Sequence, residues 1–378
     1  MKKFLTCFVC LLIFVSALLC YREVYVNART AEAFSSSASS YYVLEAKTGK
    51  VLAEGNATEK RKNASTTKVL TCITAIENFA DLNQIVTVPN AAVGIEGSSI
   101  YLKKNQQIKF IDLLYGLMLR SGNDAATAIA HLVAGGDKEF AALMNETAKK
   151  AGAQNSNFVN PHGLDHDDHY TTAEDLGKIT AYALKNETFK QITKTSMHKT
   201  SATETTEPQF FYNKNKILHM VDGAIGVKTG YTKKAGRCLV SAAERDGMQV
   251  VCVVLNCGPM FEESAKMLNE AFNKYELFNP KFENVRLKAN NAATSDVLCK
   301  VDGEFCTLLS KGETENIEFK TTLNEVAVGT PVGEIVGKIE IILNNKTLAS
   351  LNIKTLEEVK APSADETDFL DIVKDLVN

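Results

Sequence analysis

The chain carries no surplus of basic residues. Its 378 residues sum to a formal charge of −3, whereas a nucleic-acid partner requires a clear excess of lysine and arginine to neutralise phosphates. A dedicated metal pattern is missing as well. His162, His166 and His169 stand among Asp165, Asp167 and Asp168, but in a polar stretch with neither a His-x-x-x-His helix nor a cysteine partner, and metal sites need ligands held in fixed geometry. Several membrane spans are also lacking, which argues against a membrane-embedded sensor. One uncharged run, residues 4–19, follows Lys2 and Lys3, and Ala31-Glu32-Ala33 offers a small-x-small cleavage site. Residues 1–33 therefore read as an export signal, with the mature chain starting near Phe34. The distance from the apolar run to Ala33 is long, so retention as an uncleaved anchor is the alternative. Leu19 stands where a lipid-attachment signal wants a small residue before Cys20.

Of nine cysteines, Cys7, Cys10 and Cys20 belong to the signal. Cys72, Cys238 and Cys252 fall in apolar periodic runs and read as small core residues. Cys299 and Cys306 flank Asp302-Gly303, a two-residue hairpin turn that sets them opposite one another. The cross-strand Cα separation of about 4.5–5.5 Å allows a disulfide without implying one.

The length suits a large core domain followed by a smaller one. A hairpin is expected around Thr48-Gly49, then a helix from Thr66 onward, since Val69, Leu70, Ile73 and Ile76 recur at steps of three and four. Strand-like pieces cover residues 85–88 and 99–102. An apolar helix over 112–119 stops at Arg120-Ser121-Gly122-Asn123-Asp124, and a second runs over 125–133. Another helix spans 140–150. Thr171 with Glu174 forms a capping box for a helix through Leu184. Strands follow at 225–230, 237–243 and 248–256, then a helix at 261–275.

Chemistry concentrates at the start of the first helix. Ser65 and Lys68 are three apart, which puts the amine beside the hydroxyl. A lysine whose pKa is lowered by burial or a neighbouring cation can take the serine proton. The motif alone proves little, because Ser-x-x-Lys arises about once by chance in a chain of this length. A second copy, Ser196 to Lys199, sits in a Thr-rich polar stretch. Likewise Lys228-Thr229-Gly230 is echoed by Lys47-Thr48-Gly49, and Ser121-Gly122-Asn123 by Ser350-Leu351-Asn352. Order and setting separate signal from echo. Only Ser65 and Lys68 at a helix start, Ser121-Gly122-Asn123 in a helix–helix turn, and Lys228-Thr229-Gly230 on a strand come in that sequence within one domain-sized span.

With those three in place the chain resembles the serine penicillin-recognising enzymes. The match is closest to the low-molecular-mass penicillin-binding proteins that are D-alanyl-D-alanine carboxypeptidases, serine peptidase family S11. The surroundings agree: Ala64 to Lys68, Arg120 to Ala125, Asn160-Pro161-His162-Gly163-Leu164, and Lys228-Thr229-Gly230-Tyr231-Thr232 follow that family's phrasing. The resemblance implies an α/β (α+β) catalytic domain over 41–278, with an antiparallel sheet flanked by helices and an all-helical subdomain carrying Ser121. It further implies a small all-β domain over 281–358 and an amphipathic helix over 363–378.

It implies roles residue by residue. Ser65 is the nucleophile, forming an acyl-enzyme with the penultimate D-alanine of a peptidoglycan pentapeptide stem. Lys68 is the base, and Ser121 relays a proton to the leaving amine. Asn123 holds Lys68 or the substrate amide. Lys228 and Thr229 meet the substrate carboxylate, Gly230 leaves room for the substrate along the strand, and the N–H groups of Ser65 and Tyr231 form the oxyanion hole. No metal or organic cofactor is needed, and β-lactam antibiotics are expected to acylate the same serine. One departure stands out: family members often place a carboxylate-binding arginine beyond the last strand, and none occurs near Phe261. Arg237 and Arg245 are the substitutes to consider.

Two features stay open between readings. The helix over 363–378 has Phe369, Ile372, Val373 and Leu376 on one face and Asp365, Glu366, Asp368, Asp371 and Asp375 against Lys374 on the other. Anionic lipid would repel it, so peripheral membrane contact and a protein partner are both retained. A β-lactamase would need a water-activating carboxylate, for which only Glu174 is placed, and a D,D-endopeptidase shares every motif. The expected location is the outer face of the cytoplasmic membrane or the cell-wall space.

Overall fold

A computed structural model describes residues 34–290, 292 and 296–361. The expected export signal and the expected C-terminal helix lie outside the described residues. The chain divides into two compact units, Met1–Asn273 and Lys274–Asn378.

The first unit opens with a hairpin, β1 (Ser40–Glu45) and β2 (Val51–Gly55). The Glu45 carboxylate closes its turn by accepting from the N–H and the hydroxyl of Thr48, both at 2.7 Å. A 3₁₀ turn, Ala64–Thr67, leads into α1 (Lys68–Asn78). The short strands β3 (Ile85–Thr87) and β4 (Gln107–Lys109) pair antiparallel. Next, α2 (Phe110–Tyr115) continues into a wide π-type turn, Gly116–Arg120, and after Ser121 the chain starts α3 (Asn123–Ala134). Helices α4 (Asp137–Lys150), α5 (Ala173–Ala183) and α6 (Glu187–Lys194) complete the helical part. A small hairpin of β5 (Met197–Lys199) and β6 (Phe210–Tyr212) and the single-turn α7 (Ile217–Met220) precede β7 (Ala224–Thr232), β8 (Gly236–Arg245) and β9 (Met248–Leu255). Helix α8 (Met260–Lys274) ends the run.

The main sheet has the order β2-β1-β9-β8-β7, antiparallel throughout. β9 is buried along its whole length, as a strand apolar at every position but Gln249 must be at the centre of a sheet covered on both faces; the Gln249 amide donates to the Glu244 carboxylate at 3.1 Å. Alternation sends Val251, Val253 and Leu255 into the large core shared with the helices. Cys252 points to the opposite face, where it meets Ser264 of α8. Each fully buried aliphatic side chain here is worth about 1.5–3 kcal/mol. β7 is an edge strand, so one side of its backbone has no neighbour in the sheet.

Several expectations are corrected. The periodicity gave α1 one buried face, yet residues from Lys68 through Ala75 are all buried. The reason is that α3, α4, α5 and α6 surround it. Its inward hydroxyl at Thr71 is satisfied by the Pro161 carbonyl at 2.6 Å. The helix cap is one residue later than expected: the Thr172 hydroxyl, not that of Thr171, accepts from Asp175 N–H at 3.0 Å, while Glu174 pairs with Lys178 at 2.7 Å. Residues 99–102 form no strand. Ile100 and Leu102 donate their N–H groups to the Asp124 carboxylate rather than to a neighbouring strand.

The second unit is all-β. It comprises β10 (Tyr275–Phe278), β11 (Val285–Asn290), β12 (Asp296–Asp302), β13 (Thr307–Ser310), β14 (Ile317–Leu323), β15 (Val326–Ala327), β16 (Ile335–Leu343) and β17 (Lys346–Thr355). Six strands form one sheet in the order β14-β16-β17-β12-β11-β15, and β10 pairs with β13 separately. That separation removes the expected Cys299–Cys306 hairpin. Beyond Gly303 the chain crosses to β10, so Cys299 lies between Val285 and Thr355 in the sheet, buried, while Cys306 is exposed. Both are thiols.

Candidate active site

Ser65 sits inside the 3₁₀ turn and Lys68 opens α1. In 3₁₀ geometry side chains three apart are nearly eclipsed, which stacks the amine on the hydroxyl. Lys68 Nζ lies 3.0 Å from Ser65 Oγ, 2.7 Å from Asn123 Oδ1 and 2.6 Å from the His162 carbonyl. The side chain is fully buried. Burial first, and the charge of Lys228 second, hold Lys68 well below the usual lysine range, against a smaller upward pull from Asp124. With its two N–H groups taken by Asn123 and His162, a neutral amine turns its lone pair to the Ser65 hydroxyl.

The loop from Asn160 to Leu164 is laid over this helix. Gly163 has φ +83°, and a Cβ there would fall 1.9 Å from the Ala64 carbonyl oxygen, so only glycine lets the loop pass. The histidines and aspartates beyond it serve the same turn. The carbonyls of His166, Asp167 and His169 gather round Lys62 Nζ at 2.5, 2.7 and 3.0 Å. His169 is buried. Its Nδ1 accepts from Val159 N–H at 3.2 Å, leaving Nε2 to donate to Thr67 Oγ1 at 2.9 Å. Burial pushes His169 down to about 3 and His162, helped by Lys68, to about 4.

Ser121 and Asn123 come from the turn between α2 and α3. Ser121 adopts a left-handed conformation, φ 63° and ψ 32°, which ends the π-type turn and redirects the chain. Its hydroxyl makes no hydrogen bond among the described residues. Asn123 bridges, receiving from Lys68 through Oδ1 and donating from Nδ2 to the Glu96 carbonyl at 2.6 Å. The Asp124 carboxylate anchors the facing loop by accepting from Ser99 Oγ, Ile100 N–H and Leu102 N–H at 2.6–3.1 Å.

β7 supplies the third wall. A Cβ on Gly230 would lie 2.9 Å from Asn63 O, 3.0 Å from Thr66 N and 3.1 Å from Ser65 N, so the strand is pressed against the Ser65 turn. Lys228, on the same face of the strand, is buried, with Nζ donating to the Thr229 carbonyl at 2.9 Å. Burial, then the charge of Lys214, lowers it to about 7. Thr229 is half-buried and Tyr231 is 66% exposed. Three sequence-separated motifs thus meet around Ser65, beside the unpaired edge of a sheet.

The sequence profile of the D-alanyl-D-alanine carboxypeptidase family, peptidase S11, matches residues 27–258. The chain belongs to this family. It is 32% identical over 360 residues to D-alanyl-D-alanine carboxypeptidase DacC of Escherichia coli, covering 88% of this chain and 86% of that one. Penicillin-binding protein 6B from Escherichia coli superposes with a TM-score of 0.68 at 25% identity, over 85% of this chain and 96% of that chain. The Streptomyces K15 DD-transpeptidase gives 0.59 at 33% identity, covering 63% of this chain and 98% of that chain.

A serine acyl-enzyme mechanism is general to S11 carboxypeptidases. The echoes of the motifs fall outside the constellation: Lys199 closes β5, Thr48 caps a hairpin turn, and Ser350 and Asn352 lie in β17 of the second unit. Arg245 is tied at the far end of β8, donating to Asp222 O and Asn269 Oδ1. Arg237 pairs across from Tyr231 and donates to the Gly258 carbonyl at 3.3 Å. Sequence reasoning missed the His162 and Glu96 carbonyls, the His169–Thr67 support and Lys214. Backbone acceptors leave no trace in residue type, and Lys214 lies 14 residues from Lys228 with no motif around it.

Proposed function

We propose that Ser65 is the acylated serine of a D-Ala-D-Ala carboxypeptidase that trims peptidoglycan pentapeptide stems and that penicillins acylate. The observation that carries this reading is Lys68 held between Asn123 Oδ1, the His162 carbonyl and Ser65 Oγ in a buried site. Neutral Lys68 takes the Ser65 proton as Oγ attacks the penultimate D-alanine carbonyl. The N–H groups of Ser65 and Tyr231 receive the oxyanion, a contribution of about 3–4 kcal/mol per donor in comparable sites. The proton passes through Ser121 to the leaving amine, the C–N bond breaks and D-alanine departs. Water then cleaves the ester and restores Ser65. Lys228 and Thr229 hold the terminal carboxylate, and the stem lies along the free edge of β7 at Gly230.

Residues 1–33 act as the export signal and 41–278 as the catalytic domain, with 281–358 as an all-β appendage. The enzyme then works outside the cytoplasm, on the membrane's outer face or in the wall space. Residues 363–378 make a peripheral contact, with membrane or a protein partner. Monomeric and cross-linked muropeptides test the reading. Shortening of the monomer by one D-alanine supports carboxypeptidase action, whereas cleavage of the cross-link alone identifies an endopeptidase.

A further inference from the structure

Lys62 stands two residues before the Ala64–Thr67 turn and takes no part in the chemistry proposed for Ser65. Its ammonium carries three N–H donors, and three backbone carbonyls receive them: His166 at 2.5 Å, Asp167 at 2.7 Å and His169 at 3.0 Å. The stretch that curls round it is otherwise open. Residues 165–168 are exposed, and Asp165, Asp167 and Asp168 bring negative charge to it. Its rim is held by Thr232 Oγ1 donating to Asp165 Oδ1 at 3.0 Å and by Asn157 Nδ2 donating to the Asp168 carbonyl at 2.7 Å, its centre by Lys62. Carbonyl oxygens turned toward one point repel one another unless a cation sits between them.

The same loop sets the amine of Lys68. At its start the Pro161 carbonyl accepts from Thr71 Oγ1 and the His162 carbonyl from Lys68 Nζ, both at 2.6 Å. At its end His169 Nε2 meets Thr67 Oγ1 at 2.9 Å, and the same hydroxyl receives Asn63 Nδ2 at 2.9 Å. Lys62 thus ties the backbone entering the Ser65 turn to the loop whose carbonyl orients Lys68. Burial is the largest influence on Lys68, and the charges that act on it are Lys228 and Asp124. The charge of Lys62 acts on His169 instead, together with His162, His166 and Lys68. Its effect on Lys68 therefore passes through the position of the loop.

We infer that Lys62 is a positioning residue for Lys68: seated among the carbonyls of His166, Asp167 and His169, it holds the loop over α1, so that the His162 carbonyl stays on the amine and water stays off it. A side chain remote from the reacting atoms thereby keeps the base buried and aimed. The inference rests on the proposed carboxypeptidase reading, in which neutral Lys68 takes the Ser65 proton.

The pH profile of penicillin acylation by the full chain provides the test, with Lys62→Met, which keeps most of the side chain's length and has no donor. With the carbonyls unpartnered the loop lifts, water reaches Lys68 and its pKa rises toward the ordinary lysine range. The acid limb of the profile is therefore expected to move up by about one pH unit. The rate near neutrality should fall about tenfold, with the deficit shrinking at pH values above the limb. Lys62→Gln, which keeps two donors, should move the limb in the same direction and decides the matter if Lys62→Met does not fold. An acid limb that stays at its wild-type pH, with or without a slower rate, overturns the inference: Lys62 then supports the fold and nothing more. Failure of the reading beneath it looks different: a penicillin then labels neither wild type nor the variants, or labels Ser65→Ala as well.

Discussion

Lys68 decides what the site can do, because its surroundings choose its protonation state. Two fixed acceptors, Asn123 Oδ1 and the His162 carbonyl, orient it, and Ser65 Oγ takes the third direction. In the proposed mechanism Lys68 is the base and must be neutral, so kcat/KM is expected to fall as pH drops through the Lys68 titration. The carboxylate contact proposed for Lys228 requires its charge, so kcat/KM should fall again as pH rises above about 7. Lys228→Ala removes a cation that depresses Lys68 and should move the acid limb of a penicillin-acylation profile to higher pH; a limb that stays in place would separate the two lysines. Gly230 is a second control point. Its added methyl in Gly230→Ala meets three backbone atoms of the Ser65 turn within 3.1 Å, so β7 must retreat. Acylation by a penicillin should slow by about tenfold to a hundredfold, since misplacement on the order of 1 Å is enough to do so. A melting temperature near that of wild type would locate the loss in the site. Ser65, Lys68, Ser121, Asn123 and Lys228 were all legible in the sequence as residue types at telling spacings. Lys214 was not, since only the fold brings its charge to bear on Lys228.

At the scale of elements, helices were easier to read than the loops that complete the site. Apolar period located α1, α3 and α4 to within a few residues, although α1 and α3 are buried on every face over their first eight residues and not along one stripe. Residues 99–102 misled for a physical reason. Their alternation is real, with Ile100 and Leu102 buried, but their backbone donors go to one carboxylate, Asp124, and not to a strand. A side chain that replaces a whole ladder cannot be inferred from the segment it holds. Asp124→Ala would strand the N–H groups of Ile100 and Leu102 and the Ser99 hydroxyl. The expected loss is about 3 kcal/mol in unfolding free energy, from the cost of unpaired buried donors, read as a lower denaturant midpoint. Acylation should slow too, since the same loop receives Asn123 through the Glu96 and Ser98 carbonyls. The hairpin expected to join Cys299 to Cys306 failed similarly: Asp302 stays in β12, paired with Asn352, instead of turning the chain back, and the partner chosen by the following strand, β10, left no local signal.

For the molecule as a whole, chemistry and accessory structure divide between the two units. Every residue placed around Ser65 belongs to the first, and 98% of the Streptomyces K15 DD-transpeptidase is matched by 63% of this chain. A fragment ending at Asn273 is therefore expected to keep penicillin acylation within about threefold of the full chain; loss of acylation in a folded fragment would show that the second unit shapes the site. The order of the three motifs made the catalytic unit recognisable from sequence, whereas the second unit announced only that it was rich in strands. Its six-stranded order depends on long-range pairings, β14 with β16 and β12 with β17, that no local signal encodes. The most direct measurement is release of free D-alanine from a pentapeptide stem by the protein and by its Ser65→Ala variant. Stoichiometric release that disappears in the variant is the expected result; release that persists without the Ser65 hydroxyl would contradict the acyl-enzyme account at its centre.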